Sequence, residues 1–328
     1  MDSIDNLRER LEALEHQTHT LARQARWWRG LACGIMVLGL LSGALPSGQT
    51  VDAHRRDLSA RVAELEDKLQ FVTISEDEMV ITRANLRIVN GLGKTDCGFG
   101  EEAIPNCPNG LGNLIVGYNE ERESDSLGNP VTNTRTGSHN VVVGANHNFS
   151  RFGGIVVGNS NEISGDFASV SGGFSNTASG YAAAVNGGQS NRASGFLSAV
   201  SGGYSNRASG YGAAVSGGGA NQASGNGAAV SGGFSNTASG SGAAVSGGDD
   251  NTASGDRAAV SGGHRNQASG NRAAVSGGSD NTASGSGAAV SGGFSNTASG
   301  ILAAVSGGTN RSALETHNWA AGSLLEAQ

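Results

Sequence analysis

Residues 228–240 read AAVSGGFSNTASG, and residues 288–300 repeat the phrase letter for letter. Edited copies surround them: AAVSGGGANQASG at 213–225, AAVSGGDDNTASG at 243–255 and AAVSGGHRNQASG at 258–270. Anchored on valine, the array runs Val170, Val185, Val200, Val215 and onward to Val305 in steps of 15 residues. Upstream, Val142, Val156 and Val170 stand 14 apart. Ile115 and Val89 each precede a glycine by two residues and fit the same place in looser copies. The expectation is an array that begins near residue 80 in degenerate form and becomes regular later.

Each unit predicts two short strands and two turns. A-A-V-S alternates about one inward Val, and N-x-A-S about one inward Ala. Gly-Gly and Ser-Gly supply the backbone freedom that tight turns need. The asparagines Asn176, Asn191 and Asn206, with their later equivalents, fall in one column. They suit either an amide ladder or turn positions tolerant of a left-handed backbone. All four prolines precede residue 131, as a continuous hydrogen-bond ladder requires. The fold class predicted is mainly β, a solenoid with coils stacked about 4.8 Å apart. One coil buries too little apolar area to stand alone, so coils must stack. Ala183, Ala213 and Ala228 are expected as small outward residues that let neighbouring chains approach.

Composition agrees with a repeat rather than a conventional core. The 328 residues include 54 Gly, 5% aromatic and 15% charged residues. The net charge of −7 gives no basic stripe, and residues 167–248 carry only Arg192 and Arg207 as charges. Nucleic acid is therefore not an expected partner.

The front of the chain differs. Ile4, Leu7, Leu11, Leu14, Thr18, Leu21, Ala25 and Trp28 form a heptad seam within residues 1–29. Residues 30–46 hold an apolar run that suits a membrane signal-anchor or a cleaved signal peptide. Both imply export. Over 50–72, Val51, Leu58, Val62, Leu65, Leu69 and Val72 resume heptad spacing and predict a coiled-coil stalk. FVTISEDEMVITRANLRIVNG then alternates as strand, opening degenerate coils with inserted loops over 73–136. The regular head is expected over 137–311 and a cap over 312–328, with Trp319 and Leu314 folded across the last coil.

Cys97 and Cys107 flank a short loop and suit a local disulfide in an exported protein; free or intermolecular thiols are the other reading. No second pair of ligands at zinc spacing accompanies them, so neither metal nor cofactor is expected. Phe174, Tyr204, Phe234 and Phe294 share one outward column and are the candidate ligand contacts, or else covers for the turns. Asp249, His264 and Ser279 follow in that column. Without an oxyanion-hole element they suggest no catalysis, and no enzymatic activity is expected. Tyr181, Phe196, Leu197, Tyr211, Ile301 and Leu302, after each Ser-Gly, are expected to protect the array ends.

VVVGANHNFS, IVVGNSNEIS and the AAVSGG-x-SN-x-ASG coils resemble the YadA-like head of trimeric autotransporter adhesins across roughly residues 137–310. The resemblance implies a left-handed β-roll, a homotrimer and attachment to cells or matrix through a protein or glycan ligand. Two departures stand out. The family closes with a barrel of membrane strands, which is not seen before Gln328, and A-A-V-S-G-G replaces its usual N-S-V-A-I-G. The expected function is an exported, adhesin-like surface fibre tied to the membrane through its N-terminal segment. A passive spacer, or a phage-type or secreted fibre subunit, is the alternative.

Overall fold

The structure is a computed structural model that describes residues 49–75, 77–98, 103–122 and 132–321. The heptad seam of 1–29 and the apolar run of 30–46 lie outside the described residues. Among the described residues, no helix is long and apolar enough to cross a membrane. The chain divides into two compact units, residues 1–86 and 87–328.

In the first unit, helix α1 spans Gln49–Leu69. It carries Leu58, Val62, Leu65 and Leu69 exposed at heptad spacing, and its last turn holds a Lys68–Glu64 pair at 2.6 Å. The alternating segment after it is an antiparallel hairpin, β1 (Val72–Ser75) against β2 (Glu78–Ile81), rather than one long strand.

The second unit is a parallel β-solenoid. Its strands, from β3 (Leu114–Val116) to β28 (Trp319–Ala320), make one sheet of fourteen strands and one of twelve. At about 4.8 Å per strand the larger sheet is roughly 60 Å long. Each coil from residue 141 to residue 313 gives one strand to each sheet, whereas the strands at the two ends of the larger sheet have no described counterpart in the smaller one. Val185 pairs with Val170 and Val200, and Ala193 pairs with Ala178 and Ala208. Ile115 pairs with Val142 as its spacing predicts. Val89 does not join: among the described residues the sheet starts at β3 (Leu114–Val116), and Val89 is exposed.

The 14- and 15-residue coils share one register because the extra residue goes into a turn. In the shorter coil, β6 (Ile155–Asn159) is an unbroken five-residue strand. In the next coil, Ser171-Gly172 stand where Val157 stood. The strand then divides into β8 (Ser169–Val170) and a separate single bridge at Phe174, which still pairs with Asn159.

The core consists of columns rather than clusters. Val170, Val185 and Val200 are 0–1% exposed, and Ala178, Ala193 and Ala208 are fully buried opposite them. Ala183, Ala213 and Ala228, expected outside, form a third buried column. Alternation explains the reversal: two residues before an inward Val also points inward, and the outward alanine is the one between, as at Ala184 and Ala214.

Glycine sets the closeness of the coils. A Cβ on Gly225 would lie 1.9 Å from the Gly240 carbonyl oxygen, whereas one on Gly217 would meet nothing within 4 Å. Gly225→Ala is therefore expected to cost about 3 kcal/mol, the upper part of the usual overpacking range. Gly217→Ala should change stability by less than about 0.5 kcal/mol. Denaturant unfolding of the two variants checks the contrast, and equal stabilities would remove the steric argument.

The asparagine column forms the amide ladder. Asn176 N–H donates to Asn161 Oδ1 at 2.8 Å, and the link recurs up to Asn296, with Asn281 donating to Asn266 at 3.1 Å. Each Nδ2 donates to two glycine carbonyls. From Asn191 these are Gly187 of its own coil at 3.0 Å and Gly203 of the next at 2.9 Å. Asn176, Asn191 and Asn206 are at most 1% exposed. The left-handed residue is the one before each asparagine: Ser175, Ser190 and Ser205 have φ of 52–55°.

Residues 312–320, expected as a cap, add one more coil. β27 (Ser312–Ala313) and β28 (Trp319–Ala320) extend both sheets, leaving Leu314 and Trp319 exposed. The register positions of this coil carry different residues. Arg311 takes the asparagine place, its backbone N–H donating the ladder's last link to Asn296 Oδ1 at 2.9 Å, and Asn318 follows the alanine column at Ala303.

His147 heads the same ladder. Its Nδ1 accepts the Asn161 N–H at 3.3 Å and its Nε2–H donates to the Val143 carbonyl at 3.0 Å, both roles that asparagine fills elsewhere. Burial pushes its pKa below the ordinary histidine value, and the charge of Arg122 adds to this. The folded state thus binds this proton more weakly than the unfolded chain. The resulting stability is present above about pH 6.5 and is lost as pH falls, by at most about 1.4 kcal/mol per pH unit. His147→Asn keeps the bonds without the titration. Comparing the two proteins at pH 7.5 and 5.5 should show a smaller acid loss in the variant; identical losses would exclude His147 as the cause.

Candidate ligand-binding surface

Outward positions fall on two turns and on the sheet faces between them. The first turn carries the predicted contacts. Phe174, Tyr204, Phe234 and Phe294 are 45–51% exposed, in agreement with an outward column. They do not form one row. The Tyr204 ring lies over Gly219, where a Cβ would come within 2.4 Å of its Cζ. Its centroid is 6.3 Å from that of Phe234. Gln189 separates Phe174 from this pair, and Asp249, His264 and Ser279 separate Phe294.

The continuous row is on the second turn. Phe152, Phe167, Tyr181, Phe196 and Tyr211 follow one another with centroid distances of 5.2, 5.7, 4.7 and 5.2 Å. The first two contacts are edge-to-face. In the last two the rings stack within 7° of parallel. Phe152 is buried and anchors the row, while Tyr211, 57% exposed, ends it. Array-end protection does not describe these residues, because the ladder crosses consecutive interior coils. The 15-residue spacing of Tyr181, Phe196 and Tyr211 was the signal for it. Phe167 joins from one position later in its coil, which periodicity alone hides.

Between the two turns, on the same coils, lies the outer face of the twelve-stranded sheet. Arg192 and Arg207 are directly paired there in parallel register and are exposed. Thr177 and Gln222 flank them, and among the described residues neither arginine forms an ion pair. Like charges opposite each other oppose pairing, so the fold gains nothing from this placement. Aromatic rings border the arginines on both sides: Phe174 and Tyr204 on the first turn, Tyr181, Phe196 and Tyr211 on the second.

Further along, Asp249, His264 and Ser279 come into line. His264 Nε2 is 3.5 Å from Asp249 Oδ2, and its Nδ1 is 3.5 Å from Ser279 Oγ. Ser279 Oγ donates instead to Asp280 Oδ2 at 2.7 Å. The neighbouring amides are spent on the coil ladder: Ser279 N–H on Gly293 O, and Asp280 N–H on His264 O. None is left at this position to hold an oxyanion. Arg265 and Asp250, at 3.6 Å, form an exposed pair of small energetic value.

Near the start of the solenoid, Cys97 and Cys107 are joined, with Cα atoms 5.3 Å apart. Two arginines at the described ends of the insertion after β3 bond backbone carbonyls. Arg122 donates to the carbonyls of Asn146 at 2.7 Å and Ser160 at 2.6 Å, and Arg135 donates to those of Asn119, Glu120 and His147. Among the described residues, no group of three or more His, Cys, Asp or Glu side chains could hold a metal ion. No protein-family model matches this sequence, and no curated protein is significantly similar to it.

Proposed function

We propose that this chain is an exported, adhesin-like surface protein, without enzymatic activity, that displays its β-solenoid for attachment to cells, matrix or other surfaces. The observation that carries this reading is the exposed row from Phe167 to Tyr211 beside the unpaired Arg192–Arg207. Stacked rings and adjacent guanidiniums on a rigid face cost the fold water-exposed apolar area and charge repulsion, and a ligand would repay both. The stiffness of the hydrogen-bonded coils lets such a face be held away from a surface.

A homotrimeric left-handed β-roll is the assembly we favour, as in the resemblance stated above. Two features support it. The outward alanines Ala184, Ala199, Ala214 and Ala229 leave one flat, half-exposed strip of small residues, and α1 has an uncovered heptad stripe that a coiled coil would bury. Residues 30–46 would hold the chain in the membrane or direct its export.

The test is adhesion of particles coated with the full chain to cell, matrix-protein and glycan surfaces. Replacing Tyr181, Phe196 and Tyr211 together by Ser should lower binding at least tenfold without altering the circular dichroism spectrum. Unchanged binding would discard the ring face as the contact. Light scattering on the same sample should give three times the 32.8 kDa chain mass; a monomer would discard the trimer.

A further inference from the structure

A cavity of about 400 Å³ opens among residues 87–95 and His139, before the regular coils. Its polar lining is unusual because the side chains offer donors. Asn90 is 5% exposed, and its Oδ1 is spent accepting the Leu92 N–H at 3.0 Å. That bond fixes the amide's orientation and leaves Nδ2, which is buried and has no hydrogen-bond partner. His139 is fixed in the same way. Its Nε2 accepts the Asn90 N–H at 3.3 Å, so in the neutral ring the proton sits on Nδ1. That Nδ1 is also buried and without a partner. Arg87 and Lys94 supply two cations on the exposed rim, and among the described residues neither forms an ion pair. Thr95 adds a hydroxyl. Among the described residues, no carboxylate is in the lining; Asp96 faces a neighbouring depression together with Lys94, Thr95 and Phe167.

Buried donors left without acceptors cost the fold free energy unless something supplies the acceptors. We infer that this cavity is a binding site for a compact oxyanion, namely a carboxylate, sulfate or phosphate group. Such a group has several acceptor oxygens for Asn90 Nδ2 and His139 Nδ1, and its charge is matched by Arg87 and Lys94. A cation would find no carboxylate among these described side chains and would face Arg87 and Lys94. The volume accommodates a sugar carrying the anion as well as a free ion. The site uses none of the ring-face residues, although Phe167 of the ring row lines the neighbouring depression beside Lys94 and Thr95.

The test is isothermal titration of the full-length chain with sodium sulfate, sodium phosphate and sodium glucuronate at constant ionic strength. Saturable one-site binding of at least one of them is expected. Tighter binding of glucuronate would identify an acidic sugar as the ligand class, and binding of the inorganic anions alone would identify a free ion; both support the site. Asn90→Asp keeps the Oδ1 acceptor but puts an oxygen in place of the free donor, so affinity should fall at least tenfold. The double change Arg87→Gln with Lys94→Gln, confined to the exposed rim, should do the same and decides the matter if Asn90→Asp does not fold. No saturable binding of any of the three, or equal affinity in the native chain and the rim variant, would overturn the assignment.

Discussion

The buried asparagine amide is the interaction on which the solenoid depends. One side chain closes three bonds at once: its oxygen takes the amide hydrogen of the next coil's asparagine, and its nitrogen serves one glycine carbonyl in its own coil and one in the next. Neutral hydrogen bonds of this kind each contribute only about 1 kcal/mol, but leaving their partners unmet in a dry interior costs more. With Val and Ala as the main inward apolar groups, little hydrophobic gain is available to offset such a loss. Register therefore rests on the amide column and on the glycines that let the backbones approach. The large residues, Phe149, Phe152 and Ile163, are confined to the first coils.

Much of this was legible in the sequence because the period is strict. Fifteen-residue spacing predicts parallel columns, the Val and Ala positions predict their inward faces, and the absence of proline agrees with an unbroken ladder. Three features were not legible, each for a physical reason. Two-residue strands carry too little alternation to tell Ala183 from Ala184, so the inward alanine was misassigned. Asparagine suits both a left-handed turn and a buried ladder, and only the backbone shows that Ser175 takes the turn while Asn176 takes the ladder. The last coil looked like a cap because Trp319 and Leu314 are large. They occupy outward positions, while Arg311 and the exposed Asn318 take the register positions that asparagine and alanine fill in earlier coils.

For the surface, column arithmetic places aromatic residues on both turns, but it reads Tyr181, Phe196 and Tyr211 as end protection rather than as one stacked row. Column arithmetic found Phe174, Tyr204, Phe234 and Phe294, yet only Tyr204 and Phe234 meet. The ring ladder on the other turn needs Phe152 and Phe167, which fall outside the regular spacing. The arrangement as a whole divides labour by direction. Inward columns are nearly invariant because any change strains every neighbouring coil, whereas outward columns vary through aromatic, charged and small residues. That freedom is what an attachment protein would exploit. It explains how rings and an unpaired arginine pair can share a few coils without disturbing the stack.

Asn236 is the place to test this account, since it lies in the middle of the array. Asn236→Ala removes the acceptor of the Asn251 N–H and the donors to the Gly232 and Gly248 carbonyls. Denaturant unfolding of this variant should show a loss of about 3–5 kcal/mol, well above an ordinary surface change, while Ser231→Ala on the exposed column serves as the control. A stability equal to that of the control would contradict the central claim, because coil stacking would then hold without the amide column.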